Sequence, residues 1–128
     1  MIVLDTDIVI DVLRGRRDVV ARLTEVSPDD VAVTTMTVAE LLYGAMGSRE
    51  PAKNRAEVVR LVNAVRILPF GRRAAALHAQ LRYSLRQKPI GPNDLLIAAT
   101  TLSADATLVT ANTREFERVE GLRVESWR

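Results

Sequence analysis

The sequence predicts an α/β fold built on a mainly parallel sheet. Three observations point there. Short β-branched apolar runs alternate with segments whose apolar residues recur at helical spacing. Helix-starting and helix-ending residues fall between them. And 48% of the 128 residues are apolar, enough for one proper core and one domain spanning residues 1–128.

The first strand in chain order is Ile2–Leu4, short, apolar and β-branched. Thr6 or Asp7 is placed to cap the helix that carries Ile8, Val9, Val12 and Leu13, and Gly15 ends it. Arg17–Val26 reads as a second helix, closed by Ser27-Pro28. Val31–Thr34 is the second strand. Thr37 stands as an N-cap with Glu40 three residues on, the spacing of a capping box, and this helix runs to about Met46. Gly47-Ser48 breaks it. Pro51 suits an early position of a longer helix through Val65. Arg66–Pro69 is the third strand. Arg72–Arg86, with leucines 77, 81 and 85 spaced by four, is a helix. Gln87–Pro92 is a loop and Asp94–Ser103 an alanine-rich apolar helix. Thr107–Val109 is a strand, Thr113–Arg118 a short helix and Leu122–Val124 a last strand.

Composition narrows the chemistry. The net charge is +2, a small electrostatic footprint for nucleic acid. The cations are nearly all arginine, with Lys53 and Lys88 the two lysines; a guanidinium matches phosphate better than an ammonium does. There is no cysteine, which excludes a disulfide scaffold, a thiolate metal site and a cysteine nucleophile. The first residues lack the cationic lead-in of a signal peptide, because Asp5, Asp7 and Asp11 interrupt the apolar run. No stretch approaches the roughly 20 apolar residues of a membrane span. A cytoplasmic protein without a membrane partner is expected.

Three acids stand where solvated surface charge does not explain them. Asp5 directly follows the first strand, and in a parallel sheet ligands bind at strand C-terminal ends; a helix cap is the competing reading. Glu40 stands inside Val38-Ala39-Glu40-Leu41-Leu42, either as a capping-box partner or as a polar group kept near the core. Asp94 opens the most apolar helix, where the macrodipole favours an acid. If the strands are parallel, these acids meet at one end of the sheet. Like charges so placed either take up a proton or hold a cation. A hard divalent ion with oxygen ligands, Mg²⁺ or Mn²⁺, fits such a set and serves phosphodiester hydrolysis. Thr6 and Thr110 are positioned to hold ligands or waters by their hydroxyls, with capping and strand propensity as alternatives.

Four segments then carry a pattern. Val3-Leu4-Asp5-Thr6-Asp7-Ile8-Val9-Ile10-Asp11 is the first and Thr37-Val38-Ala39-Glu40-Leu41-Leu42-Tyr43-Gly44 the second. Pro89 to Ala99, containing Gly91-Pro92-Asn93-Asp94, is the third. Leu108-Val109-Thr110-Ala111-Asn112-Thr113-Arg114-Glu115-Phe116 is the fourth. In order and spacing they resemble the PIN-domain ribonuclease toxins of the VapBC toxin–antitoxin type. The resemblance implies a three-layer α/β/α fold and a Mg²⁺- or Mn²⁺-dependent endoribonuclease. It implies that Asp5, Glu40 and Asp94 form the acidic, metal-holding site. It implies a toxin that slows translation by cutting RNA, tRNA or rRNA by class. Its partners would be a cognate VapB-like antitoxin, an RNA substrate and a second copy of itself, in a homodimer and, with antitoxin, a heterotetramer or larger. Where many members carry a fourth acid this chain has Asn112, which reads as a residue that positions a water; a second tightly held metal is thereby in doubt. Asp7 reads as a first-turn or surface acid rather than a ligand.

RNA must reach an acidic site, and Arg14, Arg16, Arg17, Arg72, Arg73, Arg82 and Arg86 are the candidate phosphate contacts. The five aromatics, Tyr43, Phe70, Tyr83, Phe116 and Trp127, form no evident stacking platform in the sequence. His78 lies within a helix without an obvious partner, which argues against histidine chemistry. The opening Asp5-x-Asp7 also fits a haloacid dehalogenase-type phosphatase. That reading needs a well-placed lysine and a late acidic pair, and the chain supplies neither.

Overall fold

The computed structural model describes residues 1–128. Its strands are β1 (Ile2–Leu4), β2 (Val31–Thr34), β3 (Arg66–Leu68), β4 (Thr107–Val109) and β5 (Arg123–Glu125). The helices are α1 (Thr6–Leu13), α2 (Arg17–Thr24), α3 (Thr35–Met46), α4 (Pro51–Ala64), α5 (Arg72–Ser84), α6 (Pro92–Ser103) and α7 (Thr113–Phe116), with a 3-10 turn at Pro28–Asp30. The sheet is parallel throughout, in the order β3-β2-β1-β4-β5.

Alternation along the strands produces the layers, because successive side chains point to opposite faces. Val3, Ala32 and Leu108 face one side, where they pack with Leu81, Leu95, Ile97, Ala98 and Phe116 of α5, α6 and α7. Leu4, Val31, Val33 and Val109 face the other, against Ile8 and Val9 of α1, Val19 of α2, Leu41 of α3, and Val58 and Val62 of α4, with Trp127 closing the edge. This is the expected three-layer α/β/α arrangement. Each fully buried aliphatic side chain in these layers contributes roughly 1.5–3 kcal/mol.

Several boundaries differ from the expected ones for local reasons. β3 stops at Leu68, since Pro69 has no N–H for a ladder. α6 starts two residues before Asp94, with Pro92 in its first turn, where a missing N–H costs nothing. α5 ends at Ser84, α2 at Thr24, α4 at Ala64 and α7 at Phe116, each short of the expected end; β5 is shifted one residue later.

The strand order opens a crevice. From β1 the chain proceeds to β2 and β3 on one side, then crosses back to place β4 and β5 on the other. The gap between the C-terminal ends of β1 and β4 is therefore a topological switch point, where an open parallel sheet leaves room for a ligand.

A candidate acidic active site

Asp5 leaves β1 into that crevice. Its backbone is extended (φ −67°, ψ 160°), and its Oδ1 accepts from the Thr6 N–H at 2.8 Å, which makes Asp5 the cap of α1. Thr6 and Asp7 already have helical backbones, so neither is the expected cap. The other oxygen, Oδ2, accepts from the Thr110 hydroxyl at 2.7 Å, and the Asp5 N–H donates to the Val109 carbonyl at 2.9 Å. Asp5 thus sits across the switch point, bound to both strands that form it, and it is buried.

Glu40 reaches the crevice from α3 and is not a capping-box partner. β2 passes into α3 without a loop, so the cap falls at Thr34, whose Oγ1 accepts from the Thr37 N–H at 3.1 Å. Thr37 lies inside the helix and is wholly buried. The hydroxyls then form a directed chain. Thr34 Oγ1 donates to Thr37 Oγ1 at 3.4 Å, and Thr37 Oγ1 lies 3.0 Å from Thr6 Oγ1. Thr6 Oγ1 donates to Glu40 Oε1 at 3.0 Å. A carboxylate accepts only, so Thr6 must give its single proton to Glu40 and receive one from Thr37.

Asp94 enters from the first turn of α6. Its carboxyl folds back toward Gly91, where a Cβ would stand 3.5 Å from Asp94 Oδ2, an ordinary contact. Beside it lies Glu115 of α7. Its Oε1 accepts from the Gly91 N–H at 3.0 Å and its Oε2 from the Asn112 side-chain N–H at 2.8 Å. Asn112 also donates its backbone N–H to Thr110 Oγ1 at 3.0 Å.

These carboxyls feel one another. Asp5 is pushed up to about 6, by burial first and then by the charge of Asp7, against the bonds from Thr110 and Thr6. Asp94 is pushed up to about 8, by burial, by its hydrogen bond with Glu115 and by the charges of Asp5, Glu115 and Glu40. Glu115 is held below its ordinary range, first by the same hydrogen bond. Of the two, Asp94 is the one whose neutral form is favoured. Asp7 is raised by burial; its Oδ2 accepts from the Ala111 N–H at 3.1 Å, while its Oδ1 is buried without a partner.

A PIN domain model matches residues 2–122. Among curated relatives, the "tRNA(fMet)-specific endonuclease VapC" of Shigella flexneri is 36% identical over 97% of this chain and 96% of its own. "Ribonuclease VapC2" of Haemophilus influenzae is 39% identical over the same shares. The chain is a PIN-domain protein of the VapC family. Solved structures agree. VapBC2 from Rickettsia felis, bound to a DNA fragment from its promoter, superposes with a TM-score of 0.92 at 30% identity, covering all of both chains. DNA-bound VapBC from Salmonella typhimurium gives 0.92 at 32% identity, over 99% of this chain and 98% of that one.

In this PIN domain the four motifs bring Asp5, Glu40 and Asp94 into one crevice where their charges act on one another, with the Thr6 hydroxyl bonded to Glu40 and the Thr110 hydroxyl to Asp5. Three further participants, Glu115, Thr34 and Thr37, were not expected at the site from the sequence. Glu115 stands one helical turn beyond Asn112, where it reads locally as a helix-end charge. Thr34 and Thr37 look like strand and cap residues until Thr6 comes alongside. Asp7 is a first-turn acid as expected, yet it is half-buried and ties α1 to the residue after Thr110. Asn112 meets the site through Glu115, to which its amide nitrogen is committed.

The donor set fits a hard divalent cation by chemistry and charge. It offers carboxylate and hydroxyl oxygens, and its acids disfavour one another's charge, which a cation would relieve. No three Asp, Glu, His or Cys side chains come together closely enough to hold a metal ion by themselves. No helix is long and apolar enough to cross a membrane.

Proposed function

We propose that this PIN domain is a divalent-metal-dependent endoribonuclease, the toxin of a type II toxin–antitoxin pair, that hydrolyses phosphodiester bonds in tRNA or rRNA and so inhibits translation. The observation that carries it is the set of coupled acids at the switch point, with no lysine or arginine paired to Asp5, Glu40 or Asp94. The tRNA specificity in the name of the Shigella flexneri relative supports a tRNA substrate.

In this reading Asp5, Glu40 and Asp94 would hold Mg²⁺ or Mn²⁺, which would supply Lewis acidity toward a phosphate oxygen and a water. The rest is done by the protein. Thr110 and the Thr6 N–H fix both oxygens of Asp5. The threonine chain turns one oxygen of Glu40 and leaves the other free. Glu115, held by Gly91 and Asn112, steadies Asp94. The local charge gives exposed arginines a role: a polyanion approaching these acids is repelled unless cations line its path.

The partner reading rests on two surfaces. A cavity of about 350 Å³ opens beside Glu40, lined by Ile10, Leu13, Leu41 and Val58 with Arg14 and Glu57. An antitoxin segment carrying apolar side chains and a cation suits it. A second hollow, between Met36, Phe70 and Leu96, suits a second copy of the chain, with Ile67 and Phe70 exposed nearby.

The test is a cut-site map of total RNA incubated with the purified protein, with Mg²⁺ or with chelator, beside an Asp94→Asn variant. Discrete cuts that need both the metal and Asp94 are expected. Cuts that persist in chelator, or in the variant, would overturn the assignment.

A further inference from the structure

The end of α5 carries a feature that the acidic site does not use. Tyr83 is 68% exposed. The Arg86 guanidinium lies over its ring, 3.9 Å from the centroid. Arg86 Nη1 also donates to the Tyr83 carbonyl at 2.7 Å. An exposed arginine ordinarily samples many rotamers; here the ring and the carbonyl both engage it. Part of the ordering entropy of a ligand contact is thereby met before the ligand arrives.

Its place in the fold is what gives it a use. α5 packs against α6 across the short Leu85–Gly91 connection and runs antiparallel to it, with Arg73 at its start donating to the Ser103 carbonyl at the end of α6 (3.2 Å), and α6 begins with Asp94 in its first turn. The last turn of α5 therefore ends at the same edge as Asp94. Two bonds hold the connection there: Arg118 donates to the Lys88 carbonyl, and the Gly91 N–H donates to Glu115. Arg82, Arg86, Lys88 and Arg114 are exposed along this rim, whereas the crevice beside it is acidic. Of the two most exposed aromatics, Tyr43 and Tyr83, only Tyr83 has a cation stacked on it.

We propose that Tyr83 and Arg86 form a stacking ledge for an unpaired nucleotide of the RNA that enters the acidic crevice. The proposal rests on the ribonuclease reading and adds where the strand is held. Bases stack on exposed aromatic and guanidinium planes irrespective of sequence, and unpaired RNA is the form whose bases are free to do so. The remaining N–H groups of Arg86, with Arg82 and Lys88, meet the backbone phosphates on either side. Tyr83 and Arg86 are binding residues, outside the reacting atoms.

The test uses the Asp94→Asn protein, chosen so that bound RNA is not consumed, and two fluorescein-labelled probes: an unstructured uridine-rich single strand and a duplex RNA of equal length. Tyr83→Ala should weaken single-strand binding roughly tenfold, within the range of one lost base stack. Tyr83→Phe should leave it unchanged, because the ring and not the hydroxyl does the stacking. Arg86→Lys should weaken it several-fold, since the charge stays but the plane is lost. Duplex binding should be insensitive to Tyr83→Ala. In the cleaving protein the same substitution should raise KM and spare kcat. Tyr83 is exposed, so unchanged thermal melting confirms that the fold is intact. Single-strand affinity within twofold of the parent in Tyr83→Ala overturns the ledge and leaves the ribonuclease reading standing. A parent that binds neither probe overturns both.

Discussion

Thr110 and Asp5 lie 105 residues apart in the chain, yet the Thr110 hydroxyl donates to the Asp5 carboxylate at 2.7 Å. Thr110 is wholly buried and also accepts from the Asn112 N–H. Thr110→Val keeps the shape and strands both partners. Leaving buried polar groups unpaired costs about 1–3 kcal/mol, so urea unfolding should show a loss of that size, and RNA cleavage should fall with it. Thr110→Ser keeps the hydroxyl and should retain most of both.

Stability without metal should fall as pH rises. Asp94 and Asp5 have folded-state values of about 8 and about 6, above the ordinary 3.8. Between those limits the folded protein binds more protons than the unfolded chain, so stability declines with pH across that window. Melting in chelator should therefore give a higher Tm near pH 5 than near pH 8. Added Mg²⁺ or Mn²⁺ should raise Tm more at the alkaline end, where it need not displace protons. A Tm that climbs with pH in chelator would contradict the crowding of these acids.

Asp94→Asn should separate folding from function. It removes a charge that Asp5, Glu115 and Glu40 all disfavour. Allowing for solvent screening of a half-exposed group, the metal-free variant should gain about 1 kcal/mol at pH 8 while losing RNA cleavage. Denaturant melts and a cleavage assay on the same preparation check both halves.

Thr6→Val removes the donor to Glu40 and the end of the threonine chain. Partners that orient metal ligands typically contribute 10- to 100-fold in metal affinity. Mn²⁺ titration by calorimetry should show a weakening of about that order, with Thr6→Ser close to the parent.

Away from the site, Arg128 grips Asp11 through two bonds of 2.8 and 2.9 Å. The hydrogen bond from Arg128 holds the Asp11 carboxyl below its ordinary range. Its contribution is present at neutral pH and is lost as pH falls through that lowered value. Asp11→Asn should cost about 1 kcal/mol at pH 7, as for a bidentate, partly shielded pair, and the difference from the parent in urea melts should shrink in acid.

Much of this molecule is legible in the chain alone. Strands and helices announce themselves because their burial is local: Ile2–Leu4 and Val31–Thr34 are apolar on both faces, and Leu77, Leu81 and Leu85 repeat with the helical turn. Asp5 and Glu40 stand out because an acid beside or within an apolar run is costly without a purpose. Caps are harder. Thr37 and Thr34 are both good cap residues, and the choice turns on where the backbone ceases to be extended.

What the sequence determined by itself is the list of elements and the α/β class, and it singled out three acids by their apolar surroundings. What only the tertiary structure decided is who meets whom. The crossing from β3 to β4 carries Thr110 to Asp5, Glu115 to Asp94, and the Tyr83–Arg86 pair to the rim of the same crevice. The physical reason is range. Periodicity and capping express interactions within a few residues. The pairing of β1 with β4, and every hydrogen bond built upon it, joins segments 105 residues apart at Asp5 and Thr110 and leaves no trace in either segment alone.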